Sequence, residues 1–270
     1  IGWLENWLPL YMTGQIESFY LDSADNKPLF ETVVSSSAVV LTVEGLEKKN
    51  GICRTYISTN TDETKYYSSR FAILLNESQK MIQVIGDDSA DDRNEFLKKY
   101  IKLPGKRRNV LSTPPIYTIS DILLKRILDR NRISDGDRNR IIDYIHSERK
   151  RVEYILKNNI IEDHIPRVSE AEYDENPVFL SLSGLFYDKD IFYTYEEYKE
   201  HLAQSQDFEK RNDYYSLIIR DDLSYRNIQI FTHEGEWVMI SKNKSPAIHF
   251  IVHHPMLRQN LENMLEVIVK

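Results

Sequence analysis

The sequence has little cysteine, glycine or proline: its 270 residues contain one cysteine, nine glycines and nine prolines. The single thiol, Cys53, excludes a disulfide framework and a cysteine-ligated zinc site, because both need several thiols. The scarcity of glycine and proline excludes collagen-like and low-complexity chains. No uncharged apolar run approaches the roughly 20 residues that cross a bilayer, so we expect no membrane contact. With no signal peptide visible, we predict a soluble protein of the reducing cytoplasm.

Several catalytic signatures are also missing. The sequence has no G-x-S-x-G nucleophile elbow, no Walker phosphate loop, no G-x-G-x-x-G dinucleotide signature and no H-E-x-x-H zinc signature. Each of these motifs places a nucleophile, a phosphate or a metal where its chemistry requires it. Their absence argues against the common enzyme classes, and we predict no catalytic residues, no metal ligands and no cofactor.

The charges are distributed unevenly along the chain. The net charge of −7 argues against a nucleic-acid coat. Residues 101–160 nevertheless carry 14 lysines and arginines against 7 acidic residues. This basic excess indicates either a stripe that faces phosphates or DNA, or solvated helices whose charges pair with acidic neighbours. We favour the second interpretation.

The pattern of strands and helices predicts a mixed α+β fold in three segments. Residues 1–103 are predicted as an N-terminal α/β subdomain, residues 104–165 as a linker with a basic helical hairpin, and residues 166–270 as a C-terminal α/β subdomain. The linker is inferred from Pro104-Gly105 and Pro114-Pro115, because proline removes a backbone donor and interrupts helices. The hairpin then joins two strand-and-helix subdomains.

Within these segments, hydrophobic periodicity places the individual elements. Two helices of the hairpin are expected from Asp121 to about Arg132 and from Asp137 to about Asn158. The last segment is expected to end as a β-meander with a tight turn at Glu234-Gly235. Pro255 then begins a C-terminal helix, because proline suits the first helical position.

Histidines near the C-terminus are the candidates for chemistry. On the predicted strand over residues 247–253, His249 and His253 share one face, because strand side chains alternate. Two such imidazoles could bind a metal or an anion, or serve a hydrolase of the nuclease or phosphodiesterase type. The alternative, which we favour, makes His249 a hydrogen-bonded core residue.

Aromatic residues are dense from residue 186 to residue 237, and most of them are expected in the core. Tyrosines with polar tips suit a ligand pocket or a protein interface equally well. The candidate ligand-binding residues are Tyr215, Trp237, Lys242, His249 and Arg258. Among them, Arg258 is an anion partner near the start of the last helix, where unpaired backbone N–H groups attract negative charge.

Parts of the sequence resemble a known family. The run WLPLYMTGQIESFY at residues 7–20 resembles the segment after the DNA-binding domain of Gram-positive transcriptional regulators that begin with an Xre-type helix-turn-helix. The basic hairpin resembles the central spacer of these regulators. The end of the chain, with NIQI at 227–230, WVMISK at 237–242, PAIHF at 246–250 and then His254-Pro255, is similar to their closing β-meander and helix.

The resemblance implies an effector-sensing and oligomerisation region without its DNA-binding head. An amphipathic helix that is already under way at Ile1 indicates a fragment of a longer protein; its apolar stripe is Trp3, Leu4, Trp7, Leu8 and Tyr11. The leading hypothesis is therefore a regulatory region that forms a homodimer and binds a small-molecule effector or a protein partner. It would contact DNA only through a domain outside this chain. The alternatives are a hydrolase that uses His249 and His253, and an interaction module with a tyrosine-rich surface.

Overall fold

The chain has a mixed α+β fold, as predicted. The computed structural model describes residues 10–11, 13–21, 29–46, 53–221, 223, 227–244 and 246–268. Two compact units make up the chain: a larger unit of residues 1–16 and 82–270, and a smaller unit of residues 17–81. The helix predicted over the first residues lies almost wholly outside the described residues.

Strands and helices together make up most of the described chain. The strands are β1 (Phe19–Tyr20), β2 (Leu29–Ser35), β3 (Val40–Leu46), β4 (Cys53–Ser58), β5 (Gln79–Lys80), β6 (Ile82–Ile85), β7 (Arg107–Val110), β8 (Ile161–Pro166), β9 (Tyr215–Arg220), β10 (Ile228–His233), β11 (Trp237–Lys242) and β12 (Ile248–Val252). The helices are α1 (Thr61–Glu77), α2 (Ala90–Tyr100), α3 (Asp121–Arg130), α4 (Asp135–Leu156), α5 (Glu170–Glu175), α6 (Tyr195–Lys210) and α7 (Pro255–Ile268).

The larger unit is built on a seven-stranded sheet with the order β6-β12-β11-β10-β7-β8-β9. Strands β7, β8 and β9 run parallel, and the other neighbours pair antiparallel. Parallel neighbours need long crossovers. Helices α3 and α4 provide the crossover from β7 to β8, and α5 and α6 provide the one from β8 to β9. The predicted meander is confirmed as β10–β11–β12, which is followed by helix α7.

The helical hairpin also forms as predicted. Ser120 caps α3 and Ser134 caps α4, because each serine side chain accepts a hydrogen bond from a backbone N–H of the first helical turn. The apolar faces of the two helices meet in the largest core cluster, which also takes in residues of the 178–198 segment. Fully buried members of this cluster are Leu123, Leu124, Ile127, Leu128, Ile141, Ile145 and Ile191.

The two faces of the sheet are covered by different helices. On one face, Phe96 and Leu97 of α2 pack against Trp237 and Met239 of β11. On the other face, α7 lies over β10 and β11 and buries Leu265. Among the described helices none is long and apolar enough to cross a membrane.

The smaller unit contains a three-stranded antiparallel sheet, β2-β3-β4, and helix α1. Helix α1 begins after Asn60, whose side chain accepts from the backbone N–H of Asp62. An ion pair between Arg70 of α1 and Glu31 of β2 ties the helix to the sheet. Strands β2 and β3 of this unit form an antiparallel hairpin, and β1 is a strand of two residues.

The units of the structure do not follow the predicted boundaries at 103/104 and 165/166. The predicted linker contains β7, which lies inside the seven-stranded sheet beside β10 and β8. The hairpin does not join two subdomains, because strands from both sides of it belong to one sheet and its helices pack into the same unit. One sheet forms because strand pairing brings β6 next to β12, although more than 160 residues separate them in sequence.

Candidate functional site

A cavity of about 80 Å³ lies in the larger unit, between the sheet and helices α2 and α4. The walls come from β7, β10 and β11 on one side and from the two helices on the other, with loops 113–117 and 181–183 at the ends. This volume is far below the roughly 300–1,000 Å³ of pockets for drug-sized molecules, so the cavity fits only a compact ligand. Its polar lining comprises Arg93, Arg107, Asn109, Thr113, Tyr117, Tyr144, Glu148, Arg151, Ser181, Ser183, Gln229 and Thr232.

The charged residues of the lining are unbalanced. Three guanidinium groups, from Arg93, Arg107 and Arg151, face a single carboxylate, that of Glu148. Arg93 and Arg107 are only 5% and 7% exposed, which is rare for arginine. Because a buried charge is costly unless it is paired, this surplus of positive charge makes the cavity a candidate site for an anion.

Arg107 is held in place by backbone carbonyls. Its Nη1 donates to the carbonyl oxygen of Gly105 at 3.1 Å, and its Nη2 donates to those of Tyr100 and Leu103 at 3.2 Å each. Tyr100 ends helix α2, where carbonyl groups without helical partners attract a cation. Burial, together with the charge of Arg151, lowers the pKa of Arg107 to about 10, so this guanidinium remains protonated at neutral pH.

Arg151 and Glu148 form an ion pair one turn apart on α4, with Arg151 Nε 3.2 Å from Glu148 Oε1. Burial opposes ionisation of Glu148, but the charges of Arg151 and Arg93 outweigh it and lower the pKa of the carboxyl. Burial also raises the pKa of Tyr144, one turn earlier, to about 12. Near neutral pH, helix α4 therefore presents a cation, an anion and a protonated phenol to the cavity.

Arg93 lies over a glycine. Its Nη1 is 3.4 Å from the carbonyl oxygen of Gly184, in the short 3₁₀ turn of residues 183–185. A β-carbon on Gly184 would overlap the hydroxyl of Tyr144 and lie 2.7 Å from Arg93 Nη1. Only glycine at position 184 therefore leaves room for the phenol and the guanidinium in these positions.

Two buried N–H donors of the lining have no hydrogen-bond partner among the described residues. They are Arg93 Nε and Trp237 Nε1, and each side chain is about 5% exposed. Buried donors in proteins are almost always satisfied, so two unsatisfied ones at a single cavity are unusual. An acceptor-rich ligand in the cavity would supply their partners.

A buried carboxyl lies beside the cavity. Asp163 of β8 is fully buried and accepts hydrogen bonds from Tyr117, from Tyr215 at 3.1 Å and from Asn109 at 2.7 Å. Burial raises the pKa of Asp163 to about 6, although these three hydrogen bonds oppose the shift. Asp163 does not itself line the cavity, whereas Tyr117 and Asn109 do.

The structure disperses most of the predicted ligand-binding residues. Trp237 lines the cavity, and Tyr215 is buried one layer away as a donor to Asp163. Lys242 is at the far end of β11, and Arg258 pairs with Glu262 on α7 at 3.0 Å. The predicted cluster does not form, because Trp237 and Lys242 are at opposite ends of β11 and point to opposite faces of it.

His249 is a core residue, as favoured from the sequence. Its Nδ1 is 2.7 Å from the Ser241 hydroxyl and its Nε2 is 3.1 Å from the Ser183 carbonyl oxygen, so both ring nitrogens are engaged. Burial lowers the pKa of His249 to about 3. His253 instead packs on Phe96, with ring centroids 5.7 Å apart. Among the described residues no group of three or more His, Cys, Asp or Glu could hold a metal ion.

Many basic residues of this segment form ion pairs, which confirms the favoured interpretation for those residues. Arg126 pairs with Glu200, and Arg130 with Glu197 at 2.7 Å. Arg149 pairs with Asp121, also at 2.7 Å. Arg107 departs from this interpretation, because it is buried at the cavity rather than solvated.

Sequence reasoning missed the arginines of the cavity. A signal was present on α2, where Arg93 shares the helical spacing of the apolar residues Phe96, Leu97 and Tyr100. Glu148 and Arg151 likewise interrupt the buried face of α4 that continues through Val152 and Ile155. Charged residues at core positions of a helix indicate a buried polar site.

Comparison of the chain with family models, with curated proteins and with solved structures finds no match.

Proposed function

We propose that this chain is the effector-sensing region of a cytoplasmic transcriptional regulator, and that its effector is a small anion bound in the arginine cavity. The observation that carries the proposal is the surplus of buried guanidinium groups in one cavity whose lining also includes two unsatisfied donors. The regulatory role follows from the resemblance of residues 7–20 and 227–255 to Xre-type regulators. Contact with DNA would belong to a domain outside this chain.

The chemistry of the lining favours binding over catalysis. Arg107 and Tyr144 keep their protons near neutral pH, since their pKa values are about 10 and about 12. Glu148, the one carboxylate of the lining, is engaged by Arg151. Groups that donate hydrogen bonds and hold positive charge stabilise an anion, whereas a general base needs a free acceptor with a pKa near the working pH.

The position of the cavity is suited to conformational signalling. An anion bound there would contact Arg93 of α2, Trp237 of β11 and Arg151 of α4, and would link the sheet to both helices. A ligand shifts a conformational equilibrium only by as much as it prefers one state over the other. Here the preferred state is the one that keeps three guanidinium groups together, because without an anion their charges repel one another.

The proposal is tested by titrating the full chain with sodium sulfate, sodium phosphate and sodium acetate in a calorimeter at constant ionic strength. We expect at least one anion to bind, and Arg93→Gln to weaken that binding roughly tenfold or more, because a charged hydrogen bond is lost. Arg126→Gln is the matched control, since Arg126 is exposed and pairs with Glu200 outside the cavity. Absence of binding by all three anions, or equal losses in both variants, would contradict the proposal.

Native mass spectrometry of the purified chain tests the remaining part of the hypothesis. A homodimer that carries a co-purified anion supports a regulator that oligomerises and senses an effector. A monomer with no bound molecule argues against that role and favours an interaction module.

A further inference from the structure

We infer that the ligand of the arginine cavity is a compact dianion with a tetrahedral oxyanion head: a phosphoryl or sulfate-type group on few other atoms. The inference rests on the proposed function and adds the charge, the size and the class of the ligand. Free inorganic phosphate and a small phosphomonoester share this chemistry, and the experiment below distinguishes them.

The charge of the cavity sets the charge of the ligand. Three arginines and one glutamate leave two positive charges unbalanced in the lining. A monoanion would leave one buried charge uncompensated, whereas a dianion balances both, and an uncompensated buried charge is costly. Asp163, another buried carboxyl, does not line the cavity and already accepts from Tyr117, Tyr215 and Asn109.

The hydrogen-bond donors of the cavity match an oxyanion with several acceptor oxygens. Arg93 Nε and Trp237 Nε1 lack partners among the described residues, and the phenol of Tyr144 keeps its proton. These three donors belong to three different elements, α2, β11 and α4. They therefore approach the cavity from separate parts of the fold and not from one side chain. A phosphoryl group has three acceptor oxygens, whereas a carboxylate has two.

The volume of the cavity limits what can accompany the oxyanion head. About 80 Å³ leaves room for a phosphate or sulfate group and for very little beyond it. Gly184 contributes to the fit, because its missing side chain allows Arg93 and Tyr144 to lie against the turn of residues 183–185.

The experiment compares dianions with a monoanion on the full chain. Sodium sulfate, inorganic phosphate, methyl phosphate and acetate are titrated by calorimetry at about pH 7.5, where a phosphomonoester is mostly doubly charged because its second pKa is about 6. We expect sulfate and phosphate to bind roughly tenfold or more tightly than acetate, because only they balance both charges. Acetate binding as tight as sulfate overturns the dianion inference but leaves the proposed anion site intact. Failure of all four overturns the proposed function itself.

Two variants test whether the cavity is responsible for the preference for sulfate over acetate. Arg93→Gln removes one positive charge, so we expect the preference for sulfate over acetate to fall, whereas Arg126→Gln keeps it. Trp237→Phe keeps the aromatic ring and removes only the unsatisfied N–H, so it tests the donor even where Arg93→Gln fails to fold. An unchanged sulfate affinity in Trp237→Phe would contradict the assignment of that donor.

The two phosphates identify the source of the ligand. Methyl phosphate that binds as tightly as inorganic phosphate indicates a small phosphomonoester as the ligand. Exclusion of methyl phosphate, with inorganic phosphate still bound, indicates free phosphate. Either result supports a compact dianion as the ligand. The contacts of Trp237 and Arg93 with the bound group can then be determined.

Discussion

The hydroxyl of Tyr117 donates a hydrogen bond to the buried carboxyl of Asp163, and the ring of this tyrosine lines two separate spaces. One is the arginine cavity, and the other is an open groove of about 380 Å³ beside helix α6. Phe208 of α6 packs edge-on against the same ring, with centroids 5.8 Å apart. Tyr117 is thus a wall between the cavity and the groove, and Asp163 fixes its orientation.

Tyr117→Phe is expected to loosen this wall. It removes the donor to Asp163 but keeps the ring, so we expect a loss of about 1–3 kcal/mol in the free energy of unfolding near neutral pH, because a buried carboxyl loses a partner. We also expect a bound anion to exchange faster in this variant, since Tyr117 lines both the cavity and the groove. Urea unfolding and stopped-flow release of sulfate measure the two effects. Wild-type values for both would show that Asp163 does not hold the ring.

Asp163 is expected to make stability depend on pH in an unusual direction. Its pKa of about 6 in the folded chain is above the ordinary value of 3.8, so between about pH 4 and 6 the folded state holds a proton that the unfolded state releases. The contribution of this group therefore favours folding below about pH 4 and declines as the pH rises through 6. The difference amounts to about 3 kcal/mol, from about 1.4 kcal/mol per pKa unit.

The variant Asp163→Asn isolates the contribution of Asp163 to the pH dependence of the free energy of unfolding. In urea unfolding at about pH 4 and pH 7, we expect the stability of the wild type relative to the variant to fall by about 2–3 kcal/mol at the higher pH. Asp143→Asn, at an exposed position of α4, is the control for the substitution. Parallel pH curves for wild type and Asp163→Asn would show that Asp163 titrates alike in the folded and unfolded chain.

Local periodicity was enough to predict the helices of the hairpin and the C-terminal meander. Apolar residues recur at helical spacing in α3 and α4, and Glu234-Gly235 marks the hairpin between β10 and β11. Strands β7 and β8 were not predictable in this way. Buried parallel strands usually read as apolar runs, but β7 has the sequence RRNV and β8 has IEDHIP.

The charged residues of these strands have partners that are distant in sequence, which a single sequence does not display. Arg108 of β7 pairs with Glu162 of β8 at 2.7 Å, and Arg107 on the opposite face reaches the cavity. The candidate site has the same origin, because α2, β7 and α4 each contribute one arginine. Only the packing of both helices on the sheet brings these three side chains to one space.

His249 is expected to contribute to unfolding in acid. Its pKa of about 3 in the folded chain is below the ordinary 6.5, so the stability that it contributes is complete above about pH 6.5 and is lost as the pH falls towards 3. His249→Gln should reduce the slope of unfolding free energy against pH, between about pH 6 and 4, by about 1.4 kcal/mol per unit. Asp163 contributes a pH dependence of the opposite sign, but it is present in both the wild type and His249→Gln, so its contribution cancels when the two slopes are compared. An unchanged slope would mean that the folded chain protonates His249 without difficulty.

Glu148→Gln is expected to strengthen anion binding while it weakens the empty fold. The variant removes the only carboxylate of the cavity lining and leaves Arg151 without its ionic partner. Breaking a buried ion pair in this way costs about 3–5 kcal/mol. A bound dianion, however, then meets a lining whose three guanidinium groups are no longer offset by a carboxylate. Thermal unfolding with and without sulfate measures both effects, because a ligand that binds only the folded state raises its stability according to its affinity.

For Glu148→Gln we expect a lower melting temperature without sulfate, and a larger upward shift of the melting temperature with sulfate, than in the wild type. Glu200→Gln, which breaks the exposed pair with Arg126, should leave the sulfate shift unchanged. A smaller sulfate shift in Glu148→Gln than in the wild type would show that the carboxylate of Glu148 assists the anion rather than competes with it.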